Sequence, residues 1–169
     1  MQFPSSQLHS RTSTDSIRGD KLDRIAGAMA IGEKTPQFPR GIRGCRAAAL
    51  QALYEEDITG HPAGKCLERL PGFKRLGSNH AKFAKTIVRY ASKNREQLDS
   101  RLGSVAREFP IDQISPIDRN VLRLCLSELS VREDTEQAII VNEAVELARL
   151  FGSESAVVFV NGVLSALLR

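Results

Sequence analysis

Two arginines near the start of the helical part of the chain offer its clearest chemistry. Arg43 and Arg46 stand three residues apart, a spacing that on a helix places both on one side and offers two guanidinium groups to successive phosphates. The other reactive residue types are arranged less usefully. His9, His61 and His80 have no Cys, Asp or Glu at the i+3 or i+4 spacing of a metal site. Cys45, Cys66 and Cys125 are odd in number, far apart and without a close CxxC or CxxH pair, so they read as reduced core residues. The carboxylates of Glu55-Glu56-Asp57 and Glu133-Asp134 fall at helix ends or turns, where solvated charge is the ordinary outcome and a paired general acid and base the rare one. There is no Gly-rich phosphate loop, no HExxH and no GxSxG elbow. The expected chemistry is binding, with no catalysis, metal or cofactor.

Charge along the chain separates two kinds of surface. Residues 1–40 carry six Lys/Arg against four Asp/Glu, residues 41–110 thirteen against seven, and residues 111–169 five against nine. A basic front beside an acidic back suits a polyanion on one side and a basic partner on the other, with plain solvated helix faces as the alternative. No stretch of about eighteen apolar residues is present, and the polar opening lacks a signal-peptide core. A soluble cytoplasmic protein is expected.

The elements that position these residues are helices. The chain is 169 residues long, 41% hydrophobic, 5% aromatic and free of Trp, a composition that favours packed helices over aromatic-rich strands. Residues 1–40, rich in Ser, Thr and Gly and ending in TPQFPRG, predict a disordered arm with at most a short turn over Leu22–Ala26. From Ile42 onward apolar residues recur at helical spacing. The first helix runs to Thr59 before Gly60; a short second one holds Cys66, Leu67 and Leu70 and stops at Pro71-Gly72; a third carries Phe83, Ile87 and Tyr90 on one stripe. Asn94 with Gln97 resembles a capping box for a fourth. Ser115-Pro116-Ile117-Asp118 predicts a fifth helix, capped by Ser115, with Asp118 favouring its positive dipole end. Its apolar residues cover more than one face, so it should be central. The sixth helix ends at Gly152, and the last starts from a Ser153 cap. Ala138-Ile139-Ile140-Val141 has strand propensity, but its neighbours predict helix. About seven helices in one all-α domain over 41–169 are expected.

One local pattern invites a DNA-binding reading. Residues 143–167 place a glycine turn between two apolar helices, as in a helix-turn-helix. Between Ser153 and Leu168 there is no Lys or Arg, whereas a recognition helix needs cations for phosphates and donors for base edges. A helical hairpin that packs the core is the better reading.

Four stretches, RAAALQALY at 46–54, SPIDRNVLRL at 115–124, VNEAVELARLFG at 141–152 and FVNGVL at 159–164, occur in the order and separation found in the NusB family. The chain resembles that family over about 42–169. The resemblance implies an all-α fold of two small helical bundles, a ribosomal-protein partner, NusE, and joint binding of the single-stranded boxA element of ribosomal RNA leaders, which lets RNA polymerase in the elongation complex pass terminators. Residue by residue, it implies RNA contacts for Arg43, Arg46, Ser155 and Phe159, and NusE contacts for Tyr54 and Asp118. A stacking aromatic and a core phenylalanine are equal readings of Phe159. A homodimer is an alternative use of the NusE face.

The departures from the family pattern share a direction. Ile42, Gly44 and Cys45 stand among positions usually basic, Thr135-Glu136-Gln137-Ala138 replaces a stretch that usually holds Pro and Lys, and Ala156-Val157-Val158 replaces a more polar, often basic run. Weaker RNA binding is expected, with a protein-interaction module as the second reading and the arm's Arg24, Lys34 and Arg40 as compensating cations. RNA cytosine methyltransferases also carry such a domain; a chain ending soon after its last helix is not expected to hold their catalytic part.

Overall fold

Apolar residues at helical spacing become eight helices in a computed structural model that describes residues 39–106 and 109–169. The expected disordered arm over 1–40, its turn at Leu22–Ala26, and Arg24, Lys34 and His9 lie outside the described residues, Pro39 and Arg40 apart. The helices are α1 Gly41–Thr59, α2 Ala63–Arg69, α3 Pro71–Lys74, α4 Ser78–Lys93, α5 Arg95–Val105, α6 Pro116–Val131, α7 Gln137–Phe151 and α8 Ala156–Leu167. No strand forms among the described residues, and the β-prone 138–141 run lies in α7. The helix beyond the expected seven is α3. Pro71 opens it at the first helical position, where a missing N–H costs nothing, so the Pro-Gly pair that stops α2 also starts a single turn.

Helices α1 to α4 pack on one another as one bundle and α5 to α8 as a second. The central role expected for α6 holds: it touches α1 and α4 of the first bundle and α5, α7 and α8 of its own. Val121, Leu122, Leu124, Cys125 and Leu126 are each at most 2% exposed. Such burial on several faces contributes about 1.5–3 kcal/mol per large side chain.

Three expected side-chain caps are absent. Ser115 precedes α6, and Pro116 takes its first position, but the serine makes no capping hydrogen bond. Asn94 ends α4 and starts α5 at once, and its Nδ2 donates to the Tyr90 carbonyl at 2.8 Å. The amide thus gives a second hydrogen bond to a carbonyl that already accepts the Asn94 N–H, instead of satisfying an orphan N–H of the next helix. Ser155, not Ser153, borders α8, without a side-chain cap.

Gly152 does end α7, but in an extended conformation, not the left-handed one that usually selects glycine. Close approach selects it here. A Cβ at Gly152 would stand 2.4 Å from Ala156 Cβ and 2.6 Å from the Ala148 carbonyl oxygen. Gly152→Ala should therefore cost about 1–3 kcal/mol by overpacking, read as a lower urea midpoint at unchanged slope; an unaltered midpoint would show that the α7–α8 corner yields freely.

Candidate nucleic-acid interface

Seven consecutive residues of α1, Gly44 to Leu50, are buried. Alanines at 47, 48, 49 and 52 let neighbouring helices approach closely all round it. A long polar side chain in that stretch is forced inward and needs a counter-charge. Arg46, 3% exposed, meets it on α6: its Nε and Nη2 donate to the two carboxylate oxygens of Glu128 at 2.7 and 2.6 Å, and its Nη1 to Glu143 at 3.0 Å. Burial alone would lower the Arg46 pKa, but the hydrogen bond and charge of Glu128, then the charge of Glu143, outweigh it and raise the value. Arg132 also reaches Glu128, at 3.3 Å.

The two arginines are therefore separated by burial, which corrects the expected pair of outward guanidinium groups. Arg43 keeps a side chain 68% exposed. Its Nε and Nη2 lie 3.0–3.2 Å from the Glu143 carboxylate. Arg46 grips the same carboxylate from inside, so Glu143 is held by a buried and an exposed arginine together. Helical spacing specifies the side a residue takes, but not that the side is open. Gly44, one of the departures from the family's basic pattern, has a packing reason: a Cβ there would stand 2.2 Å from the Pro39 carbonyl oxygen.

Ser155 is exposed at the entrance of α8, and Phe159 lies one turn on, partly exposed. Phe159 is not solely a core residue. It meets Phe109 edge to face, ring centroids 5.8 Å apart at 84°. Phe109 is half exposed, an unusual state for a phenylalanine. The pair forms an open aromatic platform. Sequence reasoning missed Phe109, which lies in the connection between α5 and α6, outside any periodic pattern.

The positions implied for the partner lie on α1 and α6, which pack together. Tyr54 is half-buried; Asp118, in the first turn of α6, is 6% exposed. Asp118 packs on Gly152, Oδ1 lying 3.2 Å from where a Cβ there would stand. Two of the departures also meet in space. Ala138 on α7 faces Val157 and Val158 on α8 across a largely apolar groove that Ile139, Val141 and Val145 line together with Asn142 and Asn161. Val158 is 77% and Ile139 51% exposed.

The acidic run 55–57 is not the solvated cluster expected. The Asp57 side chain is 1% exposed and bound by Arg95, by Arg119 Nε at 2.6 Å and by Arg123 at 3.2 Å, while Asn120 Nδ2 donates to it at 3.0 Å. Burial pushes its carboxyl up, but the Arg119 hydrogen bond and the Arg123 and Arg119 charges hold it below the usual range. Arg123 also binds Asp99 of α5 through two bonds of 2.6 and 2.8 Å. Glu56 accepts from the Ala63 N–H and the Ser92 hydroxyl.

The cysteines are free and buried as expected. Burial pushes the Cys45 thiol up to about 11 and that of Cys125 up to about 12, so neither supplies a thiolate nucleophile near neutrality. No group of three or more potential metal ligands occurs among the described residues.

The NusB family model matches residues 43–169. The transcription antitermination protein NusB of Dehalococcoides mccartyi is 40% identical over 124 residues, 73% of this chain and 87% of that protein. T. maritima NusB superposes with a TM-score of 0.70 at 26% identity, covering 75% of this chain and 89% of that one. A NusB chain crystallised as antitermination factors NusB and NusE in complex with double-stranded RNA gives 0.66 at 30% identity, with 74% and 93% covered. The match across all eight helices, with the fold it requires, places this chain in the NusB family.

Proposed function

We propose that the protein is a transcription antitermination factor. It binds boxA-type single-stranded RNA together with NusE in the RNA polymerase elongation complex, in the cytoplasm, and catalyses no reaction. Residues 41–169 form the RNA-binding domain and residues 1–40 an appended arm. The open Phe109–Phe159 platform beside Ser155 carries this reading. Exposed aromatic rings hold the unstacked bases of single-stranded RNA, and the match to a NusB solved with NusE and double-stranded RNA supports RNA and NusE as the ligands. Arg43 supplies the phosphate contact, and Arg46 acts as a positioning residue that holds Glu143 and hence Arg43. Tyr54 supplies ring area to the NusE face, and the buried Asp118, packed on Gly152 at the start of α6, acts there as a positioning residue. No described helix is long and apolar enough to cross a membrane.

The test is anisotropy of a labelled boxA RNA titrated with the protein, alone and with NusE, at two salt concentrations. Salt-sensitive binding strengthened by NusE is expected, and its absence under every condition sinks the reading. Phe159→Ala and Phe109→Ala should each weaken binding by about 1–3 kcal/mol, the cost of one lost base stack, at unchanged salt slope. Arg43→Ala should instead flatten that slope by about 0.7. A platform that is only core packing would lower the melting temperature and leave the affinity alone.

The α7–α8 groove favours a second reading. Its exposed apolar side chains suit a protein contact, with NusE or in a homodimer, more than RNA. NusE capture without RNA binding would select it.

A further inference from the structure

A groove between α2 and α4 collects charge that the interface described above does not use. Lys65, Lys82, Lys85, Arg89 and Lys93 line it against two carboxylates, Glu56 and Glu68. Both acids are engaged: Glu56 with the Ala63 N–H and the Ser92 hydroxyl, Glu68 with Lys85 at 2.8 Å. Among the described residues no ion pair compensates Lys65, Lys82, Arg89 or Lys93, all exposed. On α4, positions 82, 85, 89 and 93 form one line with a cation per turn, about 5.4 Å apart over about 16 Å. The floor between them is Ala63, Leu67, Ala81 and Val88. All lining residues belong to the first bundle or to the connection entering α2, and none to α5–α8, which carries the aromatic pair.

We infer that this groove is a second, sequence-independent track for the sugar–phosphate backbone of single-stranded RNA beyond the element held at Phe109 and Phe159. The inference rests on the RNA-binding function proposed above. A regular line of cations on flexible stems matches a ligand whose charges repeat, whereas the carboxylates of a folded acidic protein are irregularly placed. The lining has no aromatic ring on which a base could stack, so the track reads phosphates and not sequence.

The experiment compares a short boxA RNA with the same RNA extended by an oligouridine tail, on the full chain with NusE. Four uncompensated cations add about 2–3 to the salt slope of the longer RNA, at about 0.7 per phosphate contacted. Between about 50 and 200 mM salt the longer RNA should therefore lose about 50-fold more affinity than the short one. Lys82→Glu/Arg89→Glu/Lys93→Glu should remove that difference and leave the short RNA unaffected. The neutral set Lys82→Gln/Arg89→Gln/Lys93→Gln should reduce it, with melting temperature checking that both variants fold. Equal losses on both RNAs would overturn a separate track. An undiminished gain from the tail in either folded variant would also overturn it and leave an acidic protein as the groove's partner. Failure of the wild type to bind even the short RNA would refute the antitermination reading together with this one.

Discussion

Asp57→Asn should destabilise the protein by about 3–5 kcal/mol, the range for breaking a buried ion pair by removing one partner. The amide nearly preserves volume, so the loss reports charge and not a cavity. Three arginines converge on this carboxylate from α5 and α6 while it hangs from the end of α1, so it joins the two bundles. Arg123 retains Asp99 in the variant, but Arg119 is left with the carbonyls of Ile111, Asp112 and Ile114 at 3.2–3.4 Å. Urea denaturation at neutral pH measures the loss, and amide exchange should quicken over 111–115.

The acid limb supplies a sign test. The folded-state pKa of Asp57 is lowered, so its contribution is fully present above the unfolded carboxyl value of about 4 and is lost as pH falls through the lower folded value. The stability gap between wild type and Asp57→Asn should therefore be wide at pH 7 and narrow as pH drops below about 4. A gap constant down to the acid transition would mean that charge at Asp57 contributes nothing.

Arg46→Met should cost about 3–5 kcal/mol, because Glu128, whose side chain is 2% exposed, keeps only Arg132. Arg46→Met/Glu128→Leu should recover most of that loss, since an apolar pair of similar volume removes both desolvation penalties. RNA affinity separates the positioning role from a direct one. In the double variant Glu143 loses its inner anchor and Arg43 its fixed partner, so affinity should fall only to the extent that Arg43→Ala lowers it. A fall well beyond that, with stability restored, would assign Arg46 a direct phosphate contact.

The order of helices, the Pro116 start, the central place of α6 and the buried thiols were all legible in the linear pattern. Each depends on neighbours along one chain segment: apolar spacing of three and four, a proline tolerated at a first turn, apolar cover on several faces. The motifs that resemble NusB were legible for the same reason, being continuous runs. Caps at Ser115, Asn94 and Ser153 were not, because a short polar side chain chooses among several orphan backbone groups only once the connection has a shape.

Tertiary structure alone decided the charged residues. Arg46 and Glu128 are 82 residues apart and meet only because α1 is enclosed by its neighbours. Asp57, read as solvated, becomes the joint between bundles because α5 and α6 bring arginines to the end of α1. Phe109 gains meaning only beside Phe159 of α8, and the cationic groove only when Lys65 of α2 comes to face α4. A periodic pattern reports which side of its own helix a residue takes. Whether that side meets water, a counter-charge or another ring depends on helices packed from elsewhere in the chain, and the energies that decide it, several kcal/mol per buried charge, arise only at those contacts.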